Sequence, residues 1–450
     1  MSTRLFGTDG VRGLANAWPM TVEVALGIGK AVAKVLGNTH PEPRIIIGKD
    51  TRLSGYMFET ALVAGICSMG AQAMLVGPMP TPAIAFLTRD MRADAGIVIS
   101  ASHNPYHDNG IKIFGPEGFK LPDELESRIE AMVLDESGQE LSPTPGKVGR
   151  AMRIDDAPGR YIVFIKNTFP ARLTLQGLHI ALDCAHGAAY KVGPLVLSEL
   201  GARLTVIGDE PDGVNINDGV GALHPQAVAR VVKETGADVG LALDGDGDRL
   251  IMVDEKGQIV DGDQVLAICA EELLRAGRLK GGGVVGTVMS NLGLELFLAE
   301  RGVRLVRAKV GDRYVVEGMV EGGYNLGGEQ SGHLVFLDHN TTGDGLLTAL
   351  QVLAVMVRSG KSLSELARMM PKLPQKLVNV AVKAKPPLED VPELARAIQA
   401  QNQRLGKRGR VVVRYSGTEP KLRIMVEAED EDLVEEVIGE LKSVAERELG

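Results

Sequence analysis

The sequence predicts an α/β chain: three similar α/β domains with mixed sheets, followed by a smaller α+β C-terminal domain. Three observations carry this reading. One pattern of strand, polar turn, helix, Gly and second strand occurs three times, which is the signature of a βαβ unit. Beyond Pro371 the texture changes to alternating strands and a closing amphipathic helix. Gly is abundant, 55 of 450 residues, while aromatics are only 4%, which favours tight turns and polar ligand loops over an aromatic-lined pocket.

The first copy runs from Arg44-Ile-Ile-Ile-Gly-Lys-Asp-Thr-Arg52 through a helical stretch to Gly70-Ala-Gln-Ala-Met-Leu-Val-Gly77. The second joins Leu178-His-Ile-Ala-Leu-Asp-Cys-Ala-His-Gly187 to Gly201-Ala-Arg-Leu-Thr-Val-Ile-Gly208, and the third joins Gly283-Val-Val-Gly-Thr-Val-Met-Ser-Asn291 to Gly302-Val-Arg-Leu-Val-Arg-Ala-Lys-Val-Gly311. The Gly before each second strand fits the position that follows a helix. Residues 60–88 carry no charge, but Gly65, Gly70, Gly77, Pro78, Pro80 and Pro82 break them into a helix, a short strand and a loop, so they predict buried core and not a membrane span. Breaks at Ser142-Pro-Thr-Pro145, at a hairpin near Asp254-Glu-Lys-Gly257 and at Pro371-Lys-Leu-Pro374 predict domains 1–145, 146–254, 255–370 and 371–450. In the last domain, alternation at 377–382 and 410–415 predicts strands, and about 429–449 predicts a helix.

Hydrophobic residues at 44% and charged residues at 24% are ordinary for a globular protein and exclude disorder, collagen or coiled coil as whole-chain readings. The net charge is −9, from 49 basic and 58 acidic residues, which speaks against nucleic acid or an anionic membrane as partner. Cys67, Cys184 and Cys269 are too scattered for a disulfide framework or a zinc site. With no apolar stretch at the N-terminus, the expected compartment is the reducing cytoplasm.

The strongest local signal is Leu241-Ala-Leu-Asp244-Gly-Asp246-Gly-Asp248-Arg249-Leu-Ile-Met-Val253. Between two apolar strands, three carboxylates alternate with glycines. Anions this close repel one another unless a cation joins them. Hard oxygen donors with positions left open suit Mg²⁺ better than Ca²⁺. An EF-hand is the rival, because Glu255 falls twelfth from Asp244, but Arg249 stands where that loop needs Gly, and strands flank it where helices should.

A second signal is Gly96-Ile-Val-Ile-Ser-Ala-Ser102-His103-Asn104-Pro105, a strand running into a loop that continues through Tyr106-His-Asp-Asn-Gly110 before Ile111-Lys112 opens a strand. A Ser beside a His invites a hydrolase reading. Neighbours on an extended chain point apart, however, and there is no Gly-x-Ser-x-Gly elbow, so that reading is set aside.

Five motifs in order now show a resemblance: Phe6-Gly-Thr-Asp-Gly-Val-Arg12-Gly, Ser102-His-Asn-Pro, Asp244-Gly-Asp-Gly-Asp-Arg, Gly328-Glu-Gln-Ser-Gly-His333 and Arg414-Tyr-Ser-Gly-Thr-Glu-Pro420. Together they resemble the α-D-phosphohexomutases over essentially the whole chain. The fourth motif and Thr341-Thr-Gly-Asp-Gly-Leu-Leu-Thr-Ala-Leu350 are similar to phosphoglucosamine mutases in particular. The chain departs from them after Asn215-Ile-Asn217, where Asp218-Gly-Val-Gly-Ala-Leu-His224-Pro225 keeps His-Pro but lacks Cys, Ser and Thr.

The resemblance implies four domains around a central cleft and an enzyme of the isomerase class. A phosphoserine at Ser102 would give its phosphoryl group to glucosamine 6-phosphate, forming glucosamine 1,6-bisphosphate, and recover it to leave glucosamine 1-phosphate for cell-wall precursor synthesis. One Mg²⁺ is expected on Asp244, Asp246, Asp248 and a phosphate oxygen from Ser102. Arg12, Arg249 and Lys112 are the expected neutralising cations, and Lys112, His103 and His333 the candidates for proton transfer, with Lys112 expected to be crowded by other cations. Glu329 and Ser331 are expected on sugar hydroxyls, and Arg414, Ser416, Gly417, Thr418 and Arg423 on the non-reacting phosphate. Glucose or glucosamine 1,6-bisphosphate is the expected activator. The partner is a small phosphosugar, with no nucleic acid or membrane, and the chain works as a monomer or homodimer. The rival readings are a phosphomannomutase or phosphoglucomutase of the same family, a non-catalytic phosphosugar- or metal-binding protein, and a phosphatase.

Overall fold

The computed structural model describes residues 5–7, 9–37, 42–135, 147–406, 408–416 and 420–450. The three repeated units form as the pattern predicts. In the first, Arg44–Lys49 and Gln72–Pro78 pair in parallel around helix Ser54–Ser68. The second pairs His179–Asp183 with Arg203–Ile207, and the third pairs Gly283–Thr287 with Arg304–Ala308, again in parallel. Ile45, Ile46 and Ile47 are wholly buried; a β-branched run suits a strand covered on both faces. Antiparallel edges make all three sheets mixed, through Asp108–Phe114, Leu250–Asp254 and Leu334–Phe336.

Two sheets extend past the expected divisions, because backbone pairing ignores the composition breaks. Ala151–Arg153, beyond the division at 145, pairs with Gln72–Pro78 in the first sheet. Ile259–Val260, beyond the division at 254, pairs with Leu250–Asp254 in the second. The expected loop after Pro80 is instead the helix Thr81–Asp90, with Pro82 in its first turn, where a missing N–H costs nothing.

One apolar core runs through the first three units, from Ile46 to Met370. Helix Gly345–Ser359 is buried along most of its length within it, and Phe86 stacks on Phe164 at 4.0 Å. The last unit has its own core, with Leu422, Ile424 and Val426 of a three-stranded antiparallel sheet against Val437 and Leu441 of helix Glu431–Leu449. Asp430 caps that helix by accepting from Leu433 N. The last unit docks on the third through the buried Glu427, whose carboxylate accepts from Leu292 N and Gln375 Nε2 and pairs with Arg410. Among the described residues, no helix is long and apolar enough to cross a membrane.

Candidate active site

The acidic loop lies between the antiparallel strands Val239–Leu243 and Leu250–Asp254. Three successive carbonyls of the loop are held by other elements. Gly245 O accepts from Ala188 N at 2.8 Å, Asp246 O from Thr81 N at 2.8 Å, and Gly247 O from Gly345 N at 3.0 Å. Thr81 and Gly345 open helices, so two positive helix ends face an anionic loop. A Cβ on Gly245 would stand 2.6 Å from Ser102 O, which is why no larger residue fits there.

The three aspartates are buried, and one carboxylate oxygen from each lies within 4.8 Å of the others. Asp246 Oδ1 and Asp248 Oδ1 are buried without a hydrogen-bond partner. Orphaned anionic oxygens of this kind fit a hard divalent cation. Burial, then Asp248 and Asp246, raise the Asp244 carboxyl well above its ordinary value, which expresses the cost of the cluster as protein alone.

Ser102 reaches this loop. Its hydroxyl donates to Asp244 Oδ2 at 2.7 Å. Its backbone is left-handed, with φ +52°, and this turns His103 back so that Nδ1 lies 3.3 Å from Ser102 Oγ. The expectation that the two neighbours point apart is therefore overturned, since the segment is not extended. The serine nevertheless has a carboxylate as its hydrogen-bond acceptor, in a setting that differs from a hydrolase elbow. Burial, then Arg249 and Arg12, lower the His103 imidazole to about 4, so it is neutral at neutral pH.

Lys112 is crowded by carboxylates, not by cations as expected. Its Nζ lies 3.0 Å from Asp246, 3.3 Å from Asp9 and 3.6 Å from Asp248. Burial opposes its charge, but Asp246, Asp9 and Asp248 outweigh burial and raise its pKa. Lys112 therefore neutralises charge in this arrangement and is a poor base. Arg249 N donates to Asp244 Oδ1 at 3.1 Å, and its guanidinium lies 3.8 Å from Asp248. Arg12 pairs with Asp9, which also binds Lys120, and Lys120 continues to Asp312.

His333 is buried with Nδ1 3.6 Å from Asp248, so it serves the acidic loop, with no hydrogen bond to Ser102. Burial disfavours a charged ring, Asp248 and Asp312 favour one and push it up to about 9, and Gly343 N–H, donating to Nε2 at 3.1 Å, opposes a second proton there.

Glu329 and Ser331 occupy the hairpin loop between Leu326–Gly328 and Leu334–Phe336. Leu250 N donates to Gly332 O at 3.0 Å, so this loop is fastened to the strand leaving the acidic loop. Gly332 has φ +93°, and a Cβ there would lie 2.2 Å from Leu250 O. Glu329 Oε1 accepts from Gly311 N at 3.0 Å, while Ser331 is exposed. Arg414, Ser416 and Arg423 lie at one end of the last sheet; Gly417 and Thr418 fall outside the described residues.

Sequence reasoning missed several residues here. Thr81 Oγ1 donates to Asp246 Oδ2 at 2.6 Å. Asp9 and Asp312 flank Lys120. Asn217 donates from Nδ2 to Ser102 O at 3.0 Å and Asn104 O at 3.1 Å. The Asn-x-Asn spacing was a visible signal for Asn217, and Asp9 lies within the Phe6–Gly13 motif; nothing local marks Thr81 or Asp312.

Four family models match in order, all described as phosphoglucomutase/phosphomannomutase: domain I at residues 3–140, domain II at 159–257, domain III at 261–373 and the C-terminal domain at 377–443. A phosphoglucosamine mutase of Syntrophotalea carbinolica is 58% identical, covering 100% of this chain and 99% of its own. One from Geobacter metallireducens is 57% identical, covering 99% of each. Among solved structures, a phosphoglucomutase/phosphomannomutase family protein from Burkholderia thailandensis superposes with a TM-score of 0.83 at 24% identity, covering 99% of this chain and 98% of that one. Aspergillus fumigatus N-acetylphosphoglucosamine mutase, solved with GlcNAc-6P and magnesium, gives 0.71 at 18% identity, with 99% and 96% covered. With four consecutive domain models matched and relatives this similar along its full length, the chain belongs to the phosphoglucomutase/phosphomannomutase family.

Proposed function

We propose that this chain is a phosphoglucosamine mutase, an isomerase that interconverts glucosamine 6-phosphate and glucosamine 1-phosphate through a phosphorylated Ser102. The observation that carries the reading is the Ser102 hydroxyl 2.7 Å from Asp244 in a loop of three converging carboxylates. A serine hydrogen-bonded into an anionic, cation-ready loop is arranged for phosphoryl transfer. The choice of glucosamine is supported by full-length relatives of that name.

Asp244, Asp246 and Asp248 would hold Mg²⁺, which supplies Lewis-acid charge neutralisation when bound. In the forward reaction the phosphorus–oxygen bond to Ser102 breaks as one forms to O1 of glucosamine 6-phosphate. The proton of that hydroxyl leaves to a base, and the serine oxygen regains one. Neutral His103, 3.3 Å from Ser102 Oγ, is the group best placed to hold that proton. Lys112, Arg249 and Arg12 offset the phosphate charge. The bisphosphate then turns over, its 6-phosphate returns to Ser102, and glucosamine 1-phosphate leaves. Glu329 and Ser331 would bind sugar hydroxyls, and Arg414, Ser416, Gly417, Thr418 and Arg423 the phosphate that is not reacting. Glucose or glucosamine 1,6-bisphosphate would prime Ser102. The reading is of a cytoplasmic enzyme, monomer or homodimer, feeding amino-sugar and cell-wall precursor synthesis.

The test is turnover of glucosamine 6-phosphate, glucose 6-phosphate and mannose 6-phosphate with Mg²⁺ and a trace of bisphosphate. The reading predicts the highest kcat/KM for glucosamine 6-phosphate. Preference for glucose or mannose would make the chain a phosphoglucomutase or phosphomannomutase, and no turnover of any would reject the mutase reading.

A further inference from the structure

Arg52 follows the first buried strand in a polar turn and is wholly buried. A guanidinium has five N–H donors in a fixed fork, and here every one is used. Nε donates to Asp50 Oδ2 at 2.7 Å. Nη1 donates to Pro105 O and, at 3.0 Å, to Asp108 O. Nη2 donates to Ser102 O at 2.9 Å and Asn104 O at 2.8 Å. Four carbonyls of the serine loop thus converge on one side chain. Asp50 also accepts from Ser100 Oγ at 2.6 Å, and Ser100 Oγ accepts from Ser102 N at 2.9 Å. Asn217, from the second unit, repeats the grip on Ser102 O and Asn104 O. Both backbone polar groups of Ser102 are therefore fixed by buried side chains, at a left-handed φ that a non-glycine residue adopts only when its surroundings impose it.

We infer that Arg52, seated on Asp50 and assisted by Asn217, is a positioning residue that holds Ser102 against the acidic loop through the phosphorylation cycle. The inference rests on the reading of Ser102 as phosphoryl carrier. A phosphoserine adds about −1.5 to −2 charges at neutral pH, pushed by the three aspartates and pulled by a cation among them and by the nearby basic side chains, so each transfer changes the net force on the loop and favours its displacement. Arg52 acts only on carbonyls behind the hydroxyl, so it can resist that displacement without touching substrate. The ion pair with Asp50 leaves the clamp nearly neutral, so its work is geometric, and displacement of a reacting atom by about 1 Å can lower a rate by about 10²-fold.

The test compares wild type, Arg52→Lys and Asn217→Ala as Mg²⁺-loaded full-length proteins. Lys keeps the charge beside Asp50 but cannot span four carbonyls. For Arg52→Lys the inference predicts kcat on glucosamine 6-phosphate lower by about 100-fold with KM unchanged. It also predicts faster amide hydrogen exchange confined to residues 102–108. Asn217→Ala should show the same pattern to a smaller extent, and it carries the test if Arg52→Lys does not fold. Wild-type kcat, or wild-type exchange at 102–108, in a folded variant would overturn the inference. So would exchange that rises throughout the chain, which marks general destabilisation. If wild type itself turns over no phosphosugar, the mutase reading fails, and exchange at 102–108 still decides whether the clamp exists.

Discussion

Arg414 and Arg423 lie directly opposite each other across the antiparallel strands Gly409–Tyr415 and Lys421–Ala428. Like charges facing across a sheet are destabilising. Burial, then Arg423, hold the Arg414 guanidinium below its ordinary value. On the proposed reading, these two cations next to Ser416 hold the phosphate that is not reacting. Inorganic phosphate should raise the melting temperature of wild type, and Arg414→Ala should lose most of that rise. The same variant should raise KM for the phosphosugar by about 10–100-fold, the equivalent of one charge-assisted hydrogen-bonded contact. An unchanged KM would remove Arg414 from the phosphate site.

The acidic loop makes an opposite-signed prediction with and without metal. Asp244 bears the repulsion of Asp246 and Asp248. In chelator, Asp244→Asn should therefore melt above wild type. With Mg²⁺ the order should reverse, because a cation held at 100 times its dissociation constant stabilises the native state by about 2.7 kcal/mol. Melting curves in chelator and in Mg²⁺ measure this crossover, and parallel shifts in both conditions would contradict a cation site.

Asp263 gives a pH prediction away from the acidic loop. It lies in the first turn of helix Gly262–Arg275, accepts from Asn291 N at 2.8 Å, and has Oδ1 buried without a partner. Burial, then Asp261, push its carboxyl up to about 7. An unfolded aspartate titrates near about 4, so between about 4 and 7 the native state holds a proton that the unfolded chain has released. This contribution to stability is full below that window and falls as pH rises through it. Asp263→Asn should flatten the slope and exceed wild type at about pH 8 by on the order of 1–3 kcal/mol. Urea unfolding at about pH 5 and pH 8 measures it, and equal slopes for both proteins would refute it.

Much of the architecture was legible because the chemistry was local. Three Gly-punctuated βαβ units, the alternating tail strands and the Asp-Gly-Asp-Gly-Asp turn each declare themselves within one continuous stretch of sequence. The serine loop was legible as a motif but not as a geometry: the left-handed Ser102, which brings His103 round, is held by Ser100 within the loop and by Arg52 and Asn217 from distant segments. Arg52 itself read as a residue of a polar turn, since burial of a guanidinium is set by tertiary packing and not by its neighbours in sequence. Lys112 was misjudged for the same reason. The expectation placed other cations around it, whereas Asp9 and the acidic loop's Asp246 and Asp248 reach it from two other parts of the chain. Strand pairing across linkers, as at Ala151–Arg153 and Ile259–Val260, also leaves no mark in composition.

The account stands on Ser102 as phosphoryl carrier, and intact-protein mass spectrometry tests that most directly. Purified chain incubated with Mg²⁺ and glucose 1,6-bisphosphate should gain the mass of one phosphoryl group, located on Ser102 by peptide fragmentation and discharged by excess glucosamine 6-phosphate. Ser102→Ala should gain none and turn over no substrate. Phosphorylation of another residue, or normal turnover by Ser102→Ala, would contradict the account.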